Sequence, residues 1–158
     1  PEALREALAR VAAVRDGRFA AETLADGTVL LDDTYNSNTG SARSSLKTAR
    51  ELADQLGRRL VLVLGEMREM GPLAAQEHDE VARLAVAAGP ALLVAVNGEA
   101  ARFARAAEEA GIPSAFFPTG EEAAPAVVDG VRPGDVVLVK ASRGVRLEAV
   151  ASALRAAR

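Results

Sequence analysis

Residues 60–96 read LVLVLGEMREMGPLAAQEHDEVARLAVAAGPALLVAV and contain a complete strand–helix–strand unit. Two uninterrupted apolar runs, Leu60–Leu64 and Leu92–Val96, are typical of strands that are covered on both faces. Between them, Gly65–Gly71 predicts a loop and Leu73–Ala88 a helix. Because two parallel strands need a long crossover, usually a helix, the stretch predicts a parallel sheet.

The same unit recurs on either side of this stretch. Thr28–Leu31 predicts a strand, and Ser41–Leu56 predicts a helix because its apolar residues recur at steps of four and three. Gly57 ends that helix, as a C-terminal glycine commonly does. The remaining predicted elements are a short helix end at 2–9, an edge strand at 17–24, strands at 114–117 and 136–139, and helices at 98–110, 120–129 and 145–157.

Strands that alternate with helices define the fold class. We expect an α/β, Rossmann-like three-layer domain, with a mostly parallel sheet of about six strands and helices on both faces. The length of 158 residues fits one such domain. The composition, 49% apolar and 26% charged, is that of a globular protein and excludes a disordered chain.

Charge and composition also limit the partners. The net charge of −3 argues against nucleic acid, because proteins that neutralise phosphates are usually basic. No apolar stretch is long enough to span a membrane, so no membrane partner is expected. The absence of cysteine excludes thiolate chemistry and suits a cytoplasmic protein, as does the lack of a visible signal peptide. A first residue other than Met suggests part of a longer protein.

Polar side chains are concentrated in the loops that leave the predicted strands. These loops are Asp32–Gly40, Gly65–Gly71, Asn97–Gly98 and Lys140–Gly144, whereas the loops that enter strands hold mostly Gly, Pro and Arg. Ligands of open α/β sheets bind outside the carboxyl ends of the strands, where helix N-termini favour anions. We therefore expect the binding site at that edge of the sheet.

Several catalytic signatures are absent or incomplete. The chain contains neither Gly-x-Gly-x-x-Gly nor Gly-x-x-x-x-Gly-Lys, so it has no evident phosphate cradle. Ser44-Ser45-Leu46-Lys47 matches the Ser-x-x-Lys nucleophile motif but lacks its partner motifs, which favours a solvated helix face. The one histidine, His78, shares a helix face with Ala74, Val81 and Ala85. It either packs and hydrogen bonds in the core or supports a substrate loop.

Two features at the strand ends have several interpretations. Asp32 and Asp33 could bind Mg²⁺, bind ribose hydroxyls or cap the following loop. Lys140 could belong to a site or extend its ammonium group to solvent at the end of a strand. Paired acids after an early strand and a lysine after the last one also occur in response-regulator receivers. The intervening strands here end in Gly65-Glu66 and Asn97, and not in the aspartate that a receiver phosphorylates.

Four segments of the chain match motifs of one known enzyme family. Asp32–Asn38 is similar to the signature Asp-Asp-x-Tyr-Asn-Ala-Asn-Pro, and Leu64–Gly71 to Leu-Gly-Asp-Met-x-Glu-Leu-Gly, with His78 in place downstream. Gly134–Arg143 resembles Gly-Asp-x-Val-Leu-Val-Lys-Gly-Ser-Arg, and Gly17-Arg18 resembles an interdomain hinge. Together the segments resemble the Mur ligase family, and within it the ligases that add D-Ala-D-Ala. Ser37, Thr39 and Ala141 depart from the usual Ala, Pro and Gly.

The resemblance implies an activity for the whole enzyme. Ligases of this group join D-Ala-D-Ala to UDP-MurNAc-tripeptide with ATP and Mg²⁺, through an acyl phosphate on the tripeptide. The chain resembles the C-terminal domain, residues 16–158, preceded by the tail of a linker, residues 1–15, from a missing central domain. The missing N-terminal and central domains would hold the UDP, the P-loop and the metal ligands. No metal site and no catalytic residue is expected on this domain alone.

The resemblance also assigns roles to single residues. The predicted ATP contacts are Arg18, Asp32, Asp33, Tyr35 and Asn36, with the acids on the ribose and Arg18 on a phosphate. The predicted D-Ala-D-Ala contacts are Asn38, Glu66, Lys140, Ser142 and Arg143. Cationic and hydroxyl groups suit the dipeptide carboxylate, and a carboxylate suits its ammonium group. The alternative functions are a receiver-like module or a generic nucleotide-binding α/β module.

Overall fold

The computed structural model describes residues 2–14 and 19–158, with the side chains of 2–11 and 19–158. The strands of the described part are β1 (Ala20–Thr23), β2 (Val29–Asp33), β3 (Leu60–Gly65), β4 (Leu92–Val96), β5 (Ser114–Phe117) and β6 (Val136–Lys140). The α-helices are α1 (Glu2–Val14), α2 (Thr39–Leu56), α3 (Ala74–Ala87), α4 (Ala101–Glu109), α5 (Gly120–Gly130) and α6 (Glu148–Ala157). Short 3₁₀ turns at Gly71–Leu73, Gly98–Ala100 and Arg143–Val145 follow β3, β4 and β6.

The strands form one six-stranded sheet in the order β1-β2-β6-β3-β4-β5. β1 pairs antiparallel with β2 at one edge, and every other pair is parallel. The predicted mostly parallel sheet of about six strands, with its first strand at an edge, is therefore confirmed, and the structure adds that this edge strand is antiparallel. β6 lies between β2 and β3, so the helix α2 that joins those two strands crosses over it.

Two apolar cores cover the two faces of the sheet. In β3, Leu60, Leu62 and Leu64 belong to the core that contains residues of α1 to α4. Val61 and Val63 belong to the second core, with residues of α5 and α6. Successive strand residues point to opposite faces, so a strand covered on both sides has an apolar residue at every position. The continuous apolar runs of the sequence have this origin, and the three-layer prediction is confirmed.

Two central strands extend further than their apolar residues indicate. β2 continues through Asp32 and Asp33, and β6 continues to Lys140, although the sequence predicted ends at Leu31 and Val139. The cause is register: Asp33 lies opposite Lys140 in the β2–β6 pair, and Lys140 lies opposite Leu64 of β3. Polar residues predicted in loops thus belong to strand ends that meet side by side.

Helix α2 begins at Thr39, two residues before its predicted start. Asn38 is the N-cap: its side chain accepts a hydrogen bond from the Ser41 N–H, and the Ser41 hydroxyl accepts one from the Asn38 N–H. This reciprocal capping box satisfies N–H groups that would otherwise lack partners. Gly57 ends the helix in the left-handed conformation, at φ 62°, as predicted.

Helix α1 is longer than the short helix end predicted at 2–9. It runs to Val14, and Leu4, Ala7 and Val11 are buried in the core on the α2 side of the sheet. Their spacing of three and four residues continues the apolar stripe beyond the predicted end. The predicted assignment of residues 1–15 to an interdomain linker stays a prediction. Among the described helices, none has both the length and the apolar character required to cross a membrane.

Candidate functional site

A buried ion pair joins the ends of β2 and β6. Lys140 Nζ lies 2.8 Å from Asp33 Oδ2, and the two side chains are 2% and 9% exposed. The ammonium group also donates to the Asn36 carbonyl at 2.9 Å, and the Ser45 hydroxyl of α2 donates to Asp33 Oδ2 at 2.6 Å. This cluster ties the loop after β2 to β6 and to α2. The predicted contacts of Asp33 with ribose and of Lys140 with a dipeptide stay predictions.

The Asp32 side chain lies on the opposite face of the sheet from Asp33, next to α6. Its carboxylate accepts hydrogen bonds from the Thr34 hydroxyl and from Arg155 of α6, both at 2.8 Å. The hydrogen bond to Asp32 raises the pKa of the Arg155 guanidinium above its usual value. Asp32 and Asp33 are adjacent in a strand, so their carboxylates diverge and do not bind a common ion. Within residues 2–14 and 19–158 no group of three or more acidic or histidine side chains is placed to hold a metal.

Glu66 follows β3 and reaches across to the turn after β4. Its Oε1 accepts the Glu99 N–H at 3.1 Å, and its Oε2 lies 3.6 Å from Arg68 Nε. Gly98 has φ 44°, and a β-carbon at that position would lie 2.1 Å from Glu66 Oε1. The turn therefore needs glycine twice, once for its conformation and once for the close approach of the carboxylate. The predicted role of Glu66 in binding an ammonium group stays a prediction.

Tyr35 and Arg143 bring the loops after β2 and β6 into contact. Tyr35 is 61% exposed, and the Arg143 guanidinium carbon lies 5.7 Å from the centre of its ring. This distance is that of a cation–π contact. The sequence analysis placed Tyr35 on the nucleotide and Arg143 on the dipeptide, so the two predicted subsites adjoin.

Two asparagines of the β2 loop have local structural roles. Asn36 accepts the Ser37 N–H through its side chain at 2.8 Å and the Lys140 ammonium group through its backbone carbonyl. Asn38 caps α2, as described above. Their predicted contacts with ATP and with the dipeptide stay predictions. Arg18, the predicted phosphate contact, and the adjacent Gly17 lie outside the described residues.

The departures from the family pattern are accommodated by their neighbours. Thr39 stands at the first position of α2, where proline is also favoured, and its hydroxyl donates to Glu77 of α3. Ala141 is buried, and its β-carbon would be 2.5 Å from a β-carbon at Gly65. The missing side chain of Gly65 thus leaves room for the Ala141 methyl group. Ser37 is 4% exposed, and its carbonyl accepts the Ser142 hydroxyl at 3.4 Å.

An open groove of about 830 Å³ lies beside these residues, at the carboxyl ends of the central and outer strands. Arg68, Arg143 and Arg146 supply positive charge, and Glu121 and Glu148 supply negative charge. The N-terminus of α5, capped by Thr119, also opens into the groove and favours an anion. The groove therefore suits a small ligand that carries both charges.

Several residues of the site were not found by sequence reasoning. Ser45 was predicted on a solvated helix face but is fully buried against Asp33, so that prediction is wrong. Its spacing, three residues after Ala42 and four before Ala49, places it on the buried stripe of α2 and could have shown this. Arg68 lies in the Gly65–Gly71 loop that the sequence placed at the binding edge but was not singled out, and Arg146, Glu121 and Glu148 of the groove had no distinguishing local pattern.

The fold and the site together define a class of protein. The chain is an open, mostly parallel α/β domain whose polar residues meet at the carboxyl ends of β2, β6, β3 and β4. The order of these strands reverses around β6, and such a reversal is where open α/β sheets bind ligands. The candidate site is therefore where this class of domain would bind a nucleotide or another small molecule.

The family described as "Mur ligase, glutamate ligase domain" matches residues 17–143. The chain belongs to this family, and the resemblance found in the four sequence segments is confirmed. Membership in this family argues against the receiver-like alternative, which rested on Asp32, Asp33 and Lys140.

Curated relatives from several bacteria have the same name. The UDP-N-acetylmuramoyl-tripeptide--D-alanyl-D-alanine ligase of Mycobacterium tuberculosis is 37% identical over an alignment of 173 positions. The alignment covers 97% of this chain and 34% of that protein. The ligase of the same name from Escherichia coli is 40% identical over 88 residues, covering 56% of this chain and 18% of that protein. The chain spans about a third of the length of the curated relatives it matches most fully.

Solved structures of two ligases contain a domain with the same fold as this chain. The MurF ligase of Thermotoga maritima, in complex with ADP, superposes with a TM-score of 0.67 at 25% identity, over 89% of this chain and 31% of that one. A MurF of Acinetobacter baumannii gives a TM-score of 0.69 at 28% identity, over 89% and 30%. The α/β fold predicted from the sequence is thus that of a domain within larger ligases.

Proposed function

We propose that this chain is the C-terminal domain of a cytoplasmic, ATP-dependent ligase that joins D-Ala-D-Ala to UDP-MurNAc-tripeptide during peptidoglycan precursor synthesis. The family, the names of the relatives and the share of their length that the chain spans support the proposal. The N-terminal and central domains of the same polypeptide would bind the UDP group and the phosphates of ATP. This domain would close over the nucleotide and help bind the dipeptide.

The mixed charge of the groove is the observation that carries the dipeptide role. D-Ala-D-Ala is a zwitterion, so a site for it needs a cation and a carboxylate a few ångströms apart. Arg143 and Arg68 line the groove, and Glu66, which is not part of the lining, has its Oε2 3.6 Å from Arg68 Nε. We propose that Arg143 binds the dipeptide carboxylate and Glu66 its ammonium group, through charge-assisted hydrogen bonds. Asn38, Lys140 and Ser142 would hold the loops that carry these groups.

The loop after β2 would form the nucleotide side. Asp33 accepts two hydrogen bonds on one carboxylate oxygen, and Asp32 accepts one on each of its oxygens. We propose that these two acids bind the ribose hydroxyls, since an ionised carboxylate can accept more than one hydrogen bond on each oxygen. Tyr35 and Asn36 are exposed on the same loop and would border the nucleotide, and Arg18 would contact a phosphate.

The residues that the structure describes do not form a Mg²⁺ site by themselves. The described residues contain no cluster of three metal-ligating side chains, and Asp32 and Asp33 diverge. We therefore assign Mg²⁺ and the reacting phosphate to the other domains and place no catalytic residue here. In the proposed reaction the tripeptide carboxylate takes the γ-phosphoryl group of ATP, and the dipeptide amine attacks the acyl phosphate and expels phosphate. This chain contributes positioning, which can supply much of the rate.

The test uses the full-length protein that contains this chain. Phosphate release with ATP, Mg²⁺ and UDP-MurNAc-tripeptide should depend on added D-Ala-D-Ala, whereas L-Ala-L-Ala should not replace it. Mass spectrometry should find the pentapeptide nucleotide as the product. Release that is independent of the dipeptide, or that needs a single amino acid in its place, would contradict the proposal.

A variant of the groove tests the dipeptide role of Arg143. Arg143→Ala removes a cation that would bind a carboxylate, and hydrogen bonds to charged groups contribute about 1.5–3 kcal/mol. We expect KM for D-Ala-D-Ala to rise roughly tenfold to a hundredfold, with a smaller change in KM for ATP. Arg83→Ala is the control, since Arg83 is exposed on α3 and does not line the groove. A larger rise in KM for ATP than in KM for D-Ala-D-Ala would indicate that Arg143 binds the nucleotide and not the dipeptide.

A further inference from the structure

The loop after β3, residues 66–70, contains no helix or strand but is held at three successive residues. Glu66 donates its N–H to the Val96 carbonyl of β4 at 3.0 Å and accepts the Ser142 N–H at 3.2 Å. The next two backbone N–H groups, of Met67 and Arg68, donate to side chains from two other elements. A loop fixed in this way presents its own side chains in defined positions.

His78 holds the first of these N–H groups. Its Nε2 accepts the Met67 N–H at 2.9 Å, and its Nδ1 lies 2.6 Å from the Ala74 carbonyl. A carbonyl oxygen can only accept and a backbone N–H can only donate, so Nδ1 carries a proton and Nε2 is the acceptor. The ring is fully buried and stacks on Phe103, with ring centres 5.4 Å apart. Packing and hydrogen bonds thus fix both the orientation and the tautomer of His78.

Ser142 holds the second N–H group from the opposite side. Its hydroxyl accepts the Arg68 N–H at 2.8 Å and is 3.4 Å from the Ser37 carbonyl, to which it donates. Ser142 is 6% exposed and belongs to the loop after β6. It therefore connects the loops after β2, β3 and β6 through one hydroxyl group.

We propose that His78, together with Ser142, is a positioning residue of the dipeptide site: it acts through the Met67 N–H to hold the 66–70 loop. The inference rests on the proposed function, because the loop carries Glu66, the proposed ammonium ligand, and Arg68, which lines the groove. The Met67 N–H is buried, so removing its acceptor leaves a donor without a partner. The loop then relieves this penalty by moving toward water, and Glu66 and Arg68 move with it.

Two substitutions at His78 separate the acceptor from packing. His78→Leu keeps an apolar side chain but removes the acceptor, whereas His78→Gln can place an amide oxygen near the position of Nε2. In the full-length ligase, we expect His78→Leu to raise KM for D-Ala-D-Ala about tenfold and KM for ATP less than twofold. His78→Gln should restore most of the dipeptide affinity. Val81→Ala, on the same helix and in the same core, is the control for lost stability.

Hydrogen exchange supplies a readout that does not need the reaction. Exchange of the peptide that covers residues 66–70 should be about tenfold faster in His78→Leu than in the wild type or in His78→Gln. Equal exchange in the three proteins, or the same change in Val81→Ala, would overturn the proposal. If the wild-type ligase does not use D-Ala-D-Ala, the proposed function fails, but the exchange of this loop still decides whether His78 holds it.

Discussion

The two lysines of the chain show what burial does to an ion pair. Lys140 is 2% exposed with Nζ at 2.8 Å from Asp33 Oδ2, whereas Lys47 is 75% exposed with Nζ at 3.8 Å from Glu51. An exposed pair contributes about 0–1 kcal/mol to the free energy of unfolding, because water screens the charges and the side chains lose entropy when they are held together. Removing one member of a buried pair costs about 3–5 kcal/mol, because the remaining charge lacks compensation.

Lys140→Met should therefore lower the free energy of unfolding by about 3–5 kcal/mol, and Lys47→Met by less than about 1 kcal/mol. Urea denaturation of the chain measures both. Adding Asp33→Asn to Lys140→Met removes the orphaned charge and should recover part of the loss. Equal destabilisation by the two lysine variants would show that the Asp33–Lys140 pair has no special role.

At the scale of a secondary-structure element, helix α2 depends on its first turn. Asn38 caps the helix, Ser45 approaches Asp33, and Thr39 and Arg43 hydrogen bond to Glu77 and Glu80 of α3. The start of the helix is thus fixed by its own cap, by the sheet and by a neighbouring helix. Residues proposed to meet the substrates lie just before this start.

Asn38→Ala should lower the free energy of unfolding by about 1 kcal/mol, because the N–H group of Ser41 loses its acceptor. Asn38→Asp keeps the acceptor and adds a negative charge at the helix N-terminus, so it should preserve stability. Measured in full-length protein, KM for D-Ala-D-Ala then tests the separate prediction of a dipeptide contact. A stable Asn38→Asp variant with an unchanged KM would leave Asn38 with only the capping role.

The elements and their order could be predicted from the sequence because their signals are local. Apolar runs showed the strands, and the spacing of Ala42, Leu46 and Ala49 showed α2. The contacts of the site could not be predicted, because their partners are distant in the chain: Asp33 and Lys140 are 107 residues apart. The same limit applies to His78, whose burial could be expected but whose acceptor role depends on where the β3 loop lies.

At the scale of the whole molecule, the domain has complete cores but an incomplete site. Both faces of the sheet are covered by helices, so the chain should fold alone and unfold cooperatively. Its sequence contains no Gly-x-x-x-x-Gly-Lys motif, and the proposed site is open to solvent on the groove side. Water would screen the charges that a closed site uses.

We expect the isolated 158-residue chain to show one cooperative unfolding transition and no ATP hydrolysis or ligation. Phosphate release with ATP, Mg²⁺, UDP-MurNAc-tripeptide and D-Ala-D-Ala measures the activity, and the full-length ligase is the positive control. Turnover that copurifies with the isolated chain would mean that it has a phosphate site of its own.

The position of β6 governs how the domain can form during synthesis. Of the six strands that the structure describes, β6 is the last along the chain, but it lies between β2 and β3 and supplies Lys140. Contacts between segments distant in the chain form slowly, because a long loop must close before they can stabilise anything. A nascent chain that ends before Val136 has two separated halves of a sheet with exposed edges, which are prone to wrong pairing. The ribosome must therefore release β6 before this domain can commit to its native fold.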